Sequence, residues 1–142
     1  MNPKDIFTKL SEAINSHDVK TVASLYANNA VVYDPFYPEP LKGRAAIEKD
    51  TAANLHGFPD MRFEVQSILA EENTAAAQII MSGTNTGPME TPDGEIPPTG
   101  RKIKIAVASF NRLDDEGNIV EEHRYYNVAN VMEQLGLTQQ LT

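Results

Sequence analysis

Between Gly57 and Phe63 the hydrophobic period of this chain changes from helical to alternating, and it stays alternating until Val128. Helices gathered ahead of a run of hairpin-linked strands define an α+β domain and exclude a doubly wound α/β fold. Asn2 as N-cap, Pro3 in the first helical position, and Ile6, Phe7, Leu10, Ala13 and Ile14 on one face predict a first helix. Asp18 caps a second, which aligns Val19, Val22, Ala23 and Tyr26 and ends at the turn-forming pair Asn28 and Asn29. Val31, Val32 and Tyr33 read as a short strand. Pro35, Pro38 and Pro40 make residues 34–42 a loop, after which Gly43 opens a third helix bearing Ile47, Thr51, Asn54 and Leu55 and stopping at Gly57.

Strands follow. Phe63, Val65 and Leu69 alternate with polar neighbours, Glu71, Glu72 and Asn73 turn the chain, and Ala75, Ala77, Ile79 and Met81 share one face of the next strand. Residues 84–100, with four prolines and three glycines, exceed the usual connection of about four to six residues, and long loops are often functional. The segment from Thr86 to Gly100 is expected near the mouth of the domain or a dimer edge. Lys102 to Leu113 is apolar on both faces, as a central strand would be, and residues 114–118 supply a hairpin turn. Ile119 to Tyr126 forms the last strand, and Val128, Val131, Met132 and Leu135 mark a closing helix stopped by Gly136.

At 142 residues and 41% hydrophobic, the chain makes a single domain, residues 1–142, with a core large enough to need no staples. It contains no Cys, which removes thiol nucleophiles, thiolate metal sites and disulfides. Twelve Lys and Arg against 20 Asp and Glu give a charge of −8, so a nucleic acid duplex or an anionic membrane is repelled and neither is expected as a partner. No apolar run is long enough to span a bilayer, and Met1 to Asp5 lacks the apolar stretch of a signal peptide, which makes a cytoplasmic location the default.

Nucleotide-binding glycine motifs, the serine-hydrolase elbow and the H-E-x-x-H zinc motif are all missing, which leaves acid/base chemistry from Asp, Glu, His and Tyr. On the last strand Glu121, His123, Tyr125 and Asn127 share one parity. Facing a cavity, they would present a carboxylate, an imidazole, a phenol and an amide in a row, with same-face neighbours about 6.8 Å apart. The opposite parity turns Glu122, Arg124 and Tyr126 inward instead. The first is favoured because it leaves Glu122 and Arg124 to solvent. Asn127 also stands where a helix N-cap is needed, Asp34 where an Asx-turn would form before Pro35, and His56 where a helix dipole favours a cation. Glu121 and His123 lack a third metal ligand at a recognisable spacing, so no metal site is expected.

Phe58-Pro59-Asp60, Gly83-Thr84-Asn85 with Gly87, Pro97-Pro98-Thr99-Gly100-Arg101, Asp115-Glu116-Gly117-Asn118-Ile119 with Glu121, and Gln134-Leu135-Gly136-Leu137 occur in that order. In this arrangement the chain resembles a SnoaL-like polyketide cyclase of the nuclear-transport-factor-2-like superfamily, over nearly its whole length. The resemblance implies a cone-shaped domain: a curved antiparallel sheet with helices on its concave side around one apolar pocket, often a homodimer through the sheet. It also implies no metal or organic cofactor, and ring closure by a carboxylate that removes a proton beside a carbonyl. The family's Asp before the last helix is matched by Asn127, its aromatic or His position four residues earlier by His123, and a frequent His by Asn85. An amide cannot take a proton from carbon, so the base passes to His123 first and then to Asp34 or Glu121. Tyr33, Tyr125 and Asn127 become candidate donors to an enolate. With His56 and Phe58, these residues are the expected lining of the pocket.

Four functions follow from these readings, the last of them pure scaffolding by a dimeric cone. One is a cofactor-free acid/base enzyme that cyclises or isomerises a small apolar carbonyl compound. A second is a domain that binds an apolar small molecule without turnover, favoured by Asn127. The third is epoxide or lactone hydrolysis, which related cones perform with paired carboxylates and an Arg; Arg124 and Arg101 are the available partners, and the favoured parity turns Arg124 away.

Overall fold

The computed structural model describes residues 2–137. Helices α1 (Asp5–Asn15) and α2 (Val19–Ser24) precede β1 (Tyr26–Tyr33) and the short β2 (Leu41–Lys42), and α3 (Arg44–Gly57) leads into β3 (Arg62–Glu71) and β4 (Thr74–Thr84). A small hairpin of β5 (Met89–Thr91) and β6 (Gly94–Ile96) is followed by β7 (Lys102–Leu113), β8 (Ile119–Tyr125) and α4 (Val128–Gln134). The six larger-sheet strands run in the order β2-β1-β8-β7-β4-β3, antiparallel throughout except for the parallel pair β1 and β8. The sheet is curved and unclosed, and the result is the expected α+β cone.

Local chemistry explains the element ends. Asp18 accepts hydrogen bonds from the Thr21 backbone N–H (3.1 Å) and Thr21 Oγ1 (2.6 Å), fixing the start of α2 as expected. Gly43 begins α3 at φ 91°, a conformation that other residues adopt only with strain. The second helix is shorter than its hydrophobic spacing suggests. Tyr26 leaves it to begin β1, pairing with Ile119, because its buried phenol has a partner on the sheet and not on the helix. β7 also differs from expectation. Ile103, Ile105, Ser109, Asn111 and Leu113 are buried while Lys102, Lys104, Ala106 and Phe110 are exposed, so the strand is half-buried in a one-sided sheet.

The core lies between the helices and the inner sheet face. Ile6, Phe7, Leu10 and Ile14 of α1 pack with Ile47 of α3 and with Ala75, Ala77, Ile79, Ile103 and Ile105 of the sheet. The long 84–100 connection contains the β5–β6 hairpin and is pinned at its base by Asn85, which is fully buried. Its Nδ2 donates to the Gly57 and Gly87 carbonyls at 3.1 and 3.0 Å, and its Oδ1 accepts from Thr99 N–H and Oγ1 at 2.8 and 2.9 Å. A Cβ on Gly87 would lie 1.9 Å from the His56 carbonyl oxygen, so only glycine permits this approach to the end of α3. The connection is thereby tied against α3, with Met89 and Glu90 at the cavity.

Candidate active site

A cavity of about 150 Å³ opens between the helices and the inner sheet face. Its body is apolar, formed by residues such as Leu10, Ile14, Phe58, Met61, Ile79 and Met81. Its other end is a cluster of ionisable side chains. Asp34 enters from the residue after β1, Tyr37 from the loop beyond it, Asp50 from the inner face of α3, Glu122 and Arg124 from β8, and Tyr126 from just past that strand.

Arg124 organises the cluster. Its Nη1 donates to Asp34 Oδ2 and Asp50 Oδ2, both at 3.1 Å, and its Nη2 and Nε reach Glu122 at 3.4 and 3.3 Å. Three tyrosines complete the set: Tyr126 Oη donates to Asp34 Oδ1 and Tyr37 Oη to Asp50 Oδ1, each at 2.6 Å, and Tyr26 Oη to Glu122 Oε1 at 2.5 Å. Ser109 Oγ donates to Glu122 Oε2 at 2.9 Å, and the Phe36 N–H to Asp34 Oδ1 at 2.9 Å.

Burial, reinforced by the facing carboxylates, pushes the phenols of Tyr26, Tyr37 and Tyr126 well up, so all three stay protonated donors. Burial opposes the charge on Arg124, but Glu122, Tyr26, Asp50 and Asp34 outweigh it and hold the guanidinium cationic.

Counting partners separates the three carboxylates. An ionised carboxylate offers about four acceptor sites. Each Glu122 oxygen meets two donors, Asp34 meets three in all, and each Asp50 oxygen meets one, counting partners among the described residues. Asp50 therefore keeps the most open acceptor capacity. Arg124 Nη2 keeps one N–H without a partner among the same residues. An open acceptor and an open donor thus belong to one cluster at the end of an apolar cavity, which is an arrangement suited to moving a proton next to a carbonyl.

The favoured strand parity is corrected by this geometry. Asp34 and Phe58 line the cavity; Tyr33, His123 and Tyr125 do not. Those three form an aromatic row on the outer sheet face, where Tyr33 stacks on His123 at 4.5 Å, His123 on Tyr125 at 6.4 Å, and Phe110 meets Tyr125 edge-on. With Pro35, Pro38 and Pro40, and with Asp34, Tyr37 and Arg124 of the cluster, they border an outer groove of about 270 Å³. Glu121 pairs with His123 Nε2 at 3.0 Å on that same face. His56 is exposed near the end of α3, and Asn127 is exposed and caps α4 by accepting from the Asn130 N–H at 2.9 Å. Neither lines the cavity.

The parity of the strand changes at a β-bulge. Arg112 pairs with Glu121 but the next residue, Leu113, pairs with Ile119, so Val120 is an extra residue that reverses the parity of β8. Ile119 and Glu122 both face inward as a result. Charge did not force Glu122 and Arg124 outward, because each buries its charge against a partner. The missed residues left one trace: Asp50 is a lone carboxylate three residues after Ile47, inside the buried stripe of α3.

Comparison with known proteins agrees with this fold. The model of the SnoaL-like polyketide cyclase family matches residues 4–135, and the chain belongs to that family. Among solved structures, a hydroxylase candidate from Streptomyces galilaeus, AclR, superposes with a TM-score of 0.80 at 25% identity, covering 99% of this chain and 84% of that one. IdmH, a polyketide cyclase candidate from Streptomyces antibioticus, gives 0.76 at 29% identity, covering 96% and 99%. SalBIII, an epoxide hydrolase/cyclase-like enzyme of pyran ring formation in salinomycin, shares the fold at 0.74 and 20% identity, covering 88% and 90%. No curated protein matches the chain. Among the described residues no group of three or more His, Cys, Asp or Glu is arranged to hold a metal ion, and no helix is long and apolar enough to cross a membrane.

Proposed function

We propose that the protein is an acid/base enzyme that cyclises or isomerises a small apolar carbonyl compound, with Asp50 as the base. The observation that carries this reading is the open acceptor capacity of Asp50 beside the open Nη2–H of Arg124 at the end of the apolar cavity. Asp50 takes a proton from the carbon next to the carbonyl. The C–H electron pair moves into the carbon framework, and the carbonyl oxygen, now an enolate, is held by Arg124. In cyclisation the enolate carbon adds to a second carbonyl of the same molecule and the new alkoxide recovers the proton from Asp50. In isomerisation the proton returns to a different carbon. Asp34 and Glu122 hold Arg124 in place, and no step needs a cofactor.

On this reading the amide at Asn127 does not remove the base, because the base stands elsewhere. Cyclohexanone in deuterated water tests the proposal, with deuterium incorporation beside the carbonyl followed by NMR. The wild type should catalyse exchange, and Asp50→Asn should slow it by about 10²–10⁴-fold. Equal rates would overturn the assignment of Asp50. Ketone binding without exchange would support the alternative, a domain that binds an apolar small molecule without turnover.

A second reading rests on one contact, the single Nη1 that bridges Asp34 and Asp50 at 3.1 Å on each side. Paired carboxylates across a cation can open an epoxide, one directing water and the other protonating the oxygen. Diol formation from styrene oxide without exchange on cyclohexanone would favour it. We also propose that the chain works as a homodimer through the outer sheet face, where Tyr33, Phe110 and Tyr125 are exposed, and that its home is the cytoplasm.

A further inference from the structure

The proposed chemistry leaves open what kind of molecule enters. The cavity's ionisable lining answers on charge alone. Three carboxyl groups, Asp34, Asp50 and Glu122, share one guanidinium, and their side chains are 7%, 3% and 3% exposed. The remaining acid in the lining, Glu90, adds to the same sign, and the lining contains no Lys and no second Arg. All five N–H groups of Arg124 but one are already directed at carboxylates. An entering carboxylate or phosphate would find a single N–H and three like charges at close range in a poorly solvated space, where repulsion is weakly screened.

A cation meets the opposite situation. Two acceptor sites on Asp50 and one on Asp34 are open, and the Phe36 and Tyr37 rings, packed edge-to-face with centroids 5.4 Å apart, line the cavity at the same end. Aromatic faces beside an acceptor-rich carboxylate suit an ammonium group. Adding one positive charge would also reduce the anionic excess that the guanidinium alone does not balance.

We infer that this cavity selects its ligand by charge, taking apolar molecules that carry a basic amine most tightly, uncharged ones less tightly, and excluding free carboxylates and phosphates. The natural ligand is then an apolar amine or amino ketone, or an uncharged ketone whose acid groups are masked. A substrate delivered as a free acid would have to be amidated, esterified or decarboxylated by a preceding reaction before it entered. This inference rests on the reading that the Asp50 and Arg124 cluster is the binding site, but it needs no turnover.

Three probes of one size test it: benzylamine, benzyl alcohol and benzoate, titrated into the whole protein at neutral pH and high salt so that the surface charge is screened. Benzylamine should bind at least about tenfold more tightly than benzoate, with benzyl alcohol between them. Its methylene protons should show nuclear Overhauser effects to the Phe36 and Phe58 rings, which line the cavity and not the outer groove. Asp50→Asn, checked for folding by circular dichroism, should remove most of the amine's advantage over benzyl alcohol. Should that variant not fold, the wild-type ranking and the Overhauser contacts still decide. Benzoate binding as tightly as benzylamine, or benzylamine contacts confined to the outer groove, would overturn the inference. Cyclohexanone exchange separates the two claims: exchange with benzoate bound as well as benzylamine defeats only charge selection, and amine selection without exchange defeats only the enzymatic reading.

Discussion

Arg124 is the residue on which the interior depends. A guanidinium facing three nearly buried carboxyl groups has replaced water for all of them, so deleting it strands several charges at once. Arg124→Met should lower the unfolding free energy by about 3–5 kcal/mol at neutral pH, measured by urea denaturation. The tyrosines give a second prediction. Their folded-state pKa values are raised above the unfolded value of about 10, so their contribution is intact below that pH and is lost as pH rises beyond it. Tyrosinate absorbance from Tyr26, Tyr37 and Tyr126 should therefore rise only together with cooperative alkaline unfolding; ionisation of these three phenols ahead of unfolding would contradict their burial. At this scale the sequence was only partly readable. Asp34 stood out because Pro35 follows it and a strand precedes it. Asp50 did not, because a single carboxylate on a helix carries no mark of the arginine that faces it from β8.

Elements were far more legible than the faces they present. Helix caps and turn residues act over a few positions, so the caps Asp18, Gly43 and Asn127 were visible in the chain, as was the helix stop at Gly57. The face of β8 depends on partners far away in the chain: Glu122 and Arg124 were assigned to solvent for their charge, and they turn inward because Arg124 pairs with Asp34, Asp50 and Glu122. Local reading also failed for Tyr26, whose partner Glu122 is 96 residues away. The connection before β7 illustrates the same limit. Its prolines and glycines announced a long loop, and Asn85 turns part of it into a pinned hairpin. Asn85→Ala strands the Gly87 carbonyl and the Thr99 N–H and removes one of the two donors to the Gly57 carbonyl, and should cost about 1–3 kcal/mol by thermal or urea unfolding. Asn127→Ala should cost about 0.5–2 kcal/mol as a lost cap, and Asn127→Asp should be nearly neutral. Neither change at position 127 should alter exchange on cyclohexanone.

The whole molecule divides its polar chemistry between two sides of one sheet. The inner face holds the carboxylate, arginine and tyrosine cluster at the end of an apolar cavity, and the outer face carries the Tyr33, His123 and Tyr125 row with exposed Phe110. An exposed aromatic surface of this kind is suited to association. Sedimentation should accordingly show a dimer that Phe110→Glu paired with Tyr125→Glu dissociates without loss of secondary structure; a monomeric wild type would contradict the proposed pairing. The division also makes the functional account directly testable, because the two faces offer rival bases from neighbouring elements. The decisive measurement compares the rate of deuterium exchange into cyclohexanone for Asp50→Asn and for His123→Ala, each against the wild type and each verified as folded. Loss of exchange in Asp50→Asn with a nearly unchanged rate in His123→Ala is the predicted result, and loss in His123→Ala with exchange retained in Asp50→Asn would place the chemistry on the outer face and contradict the account.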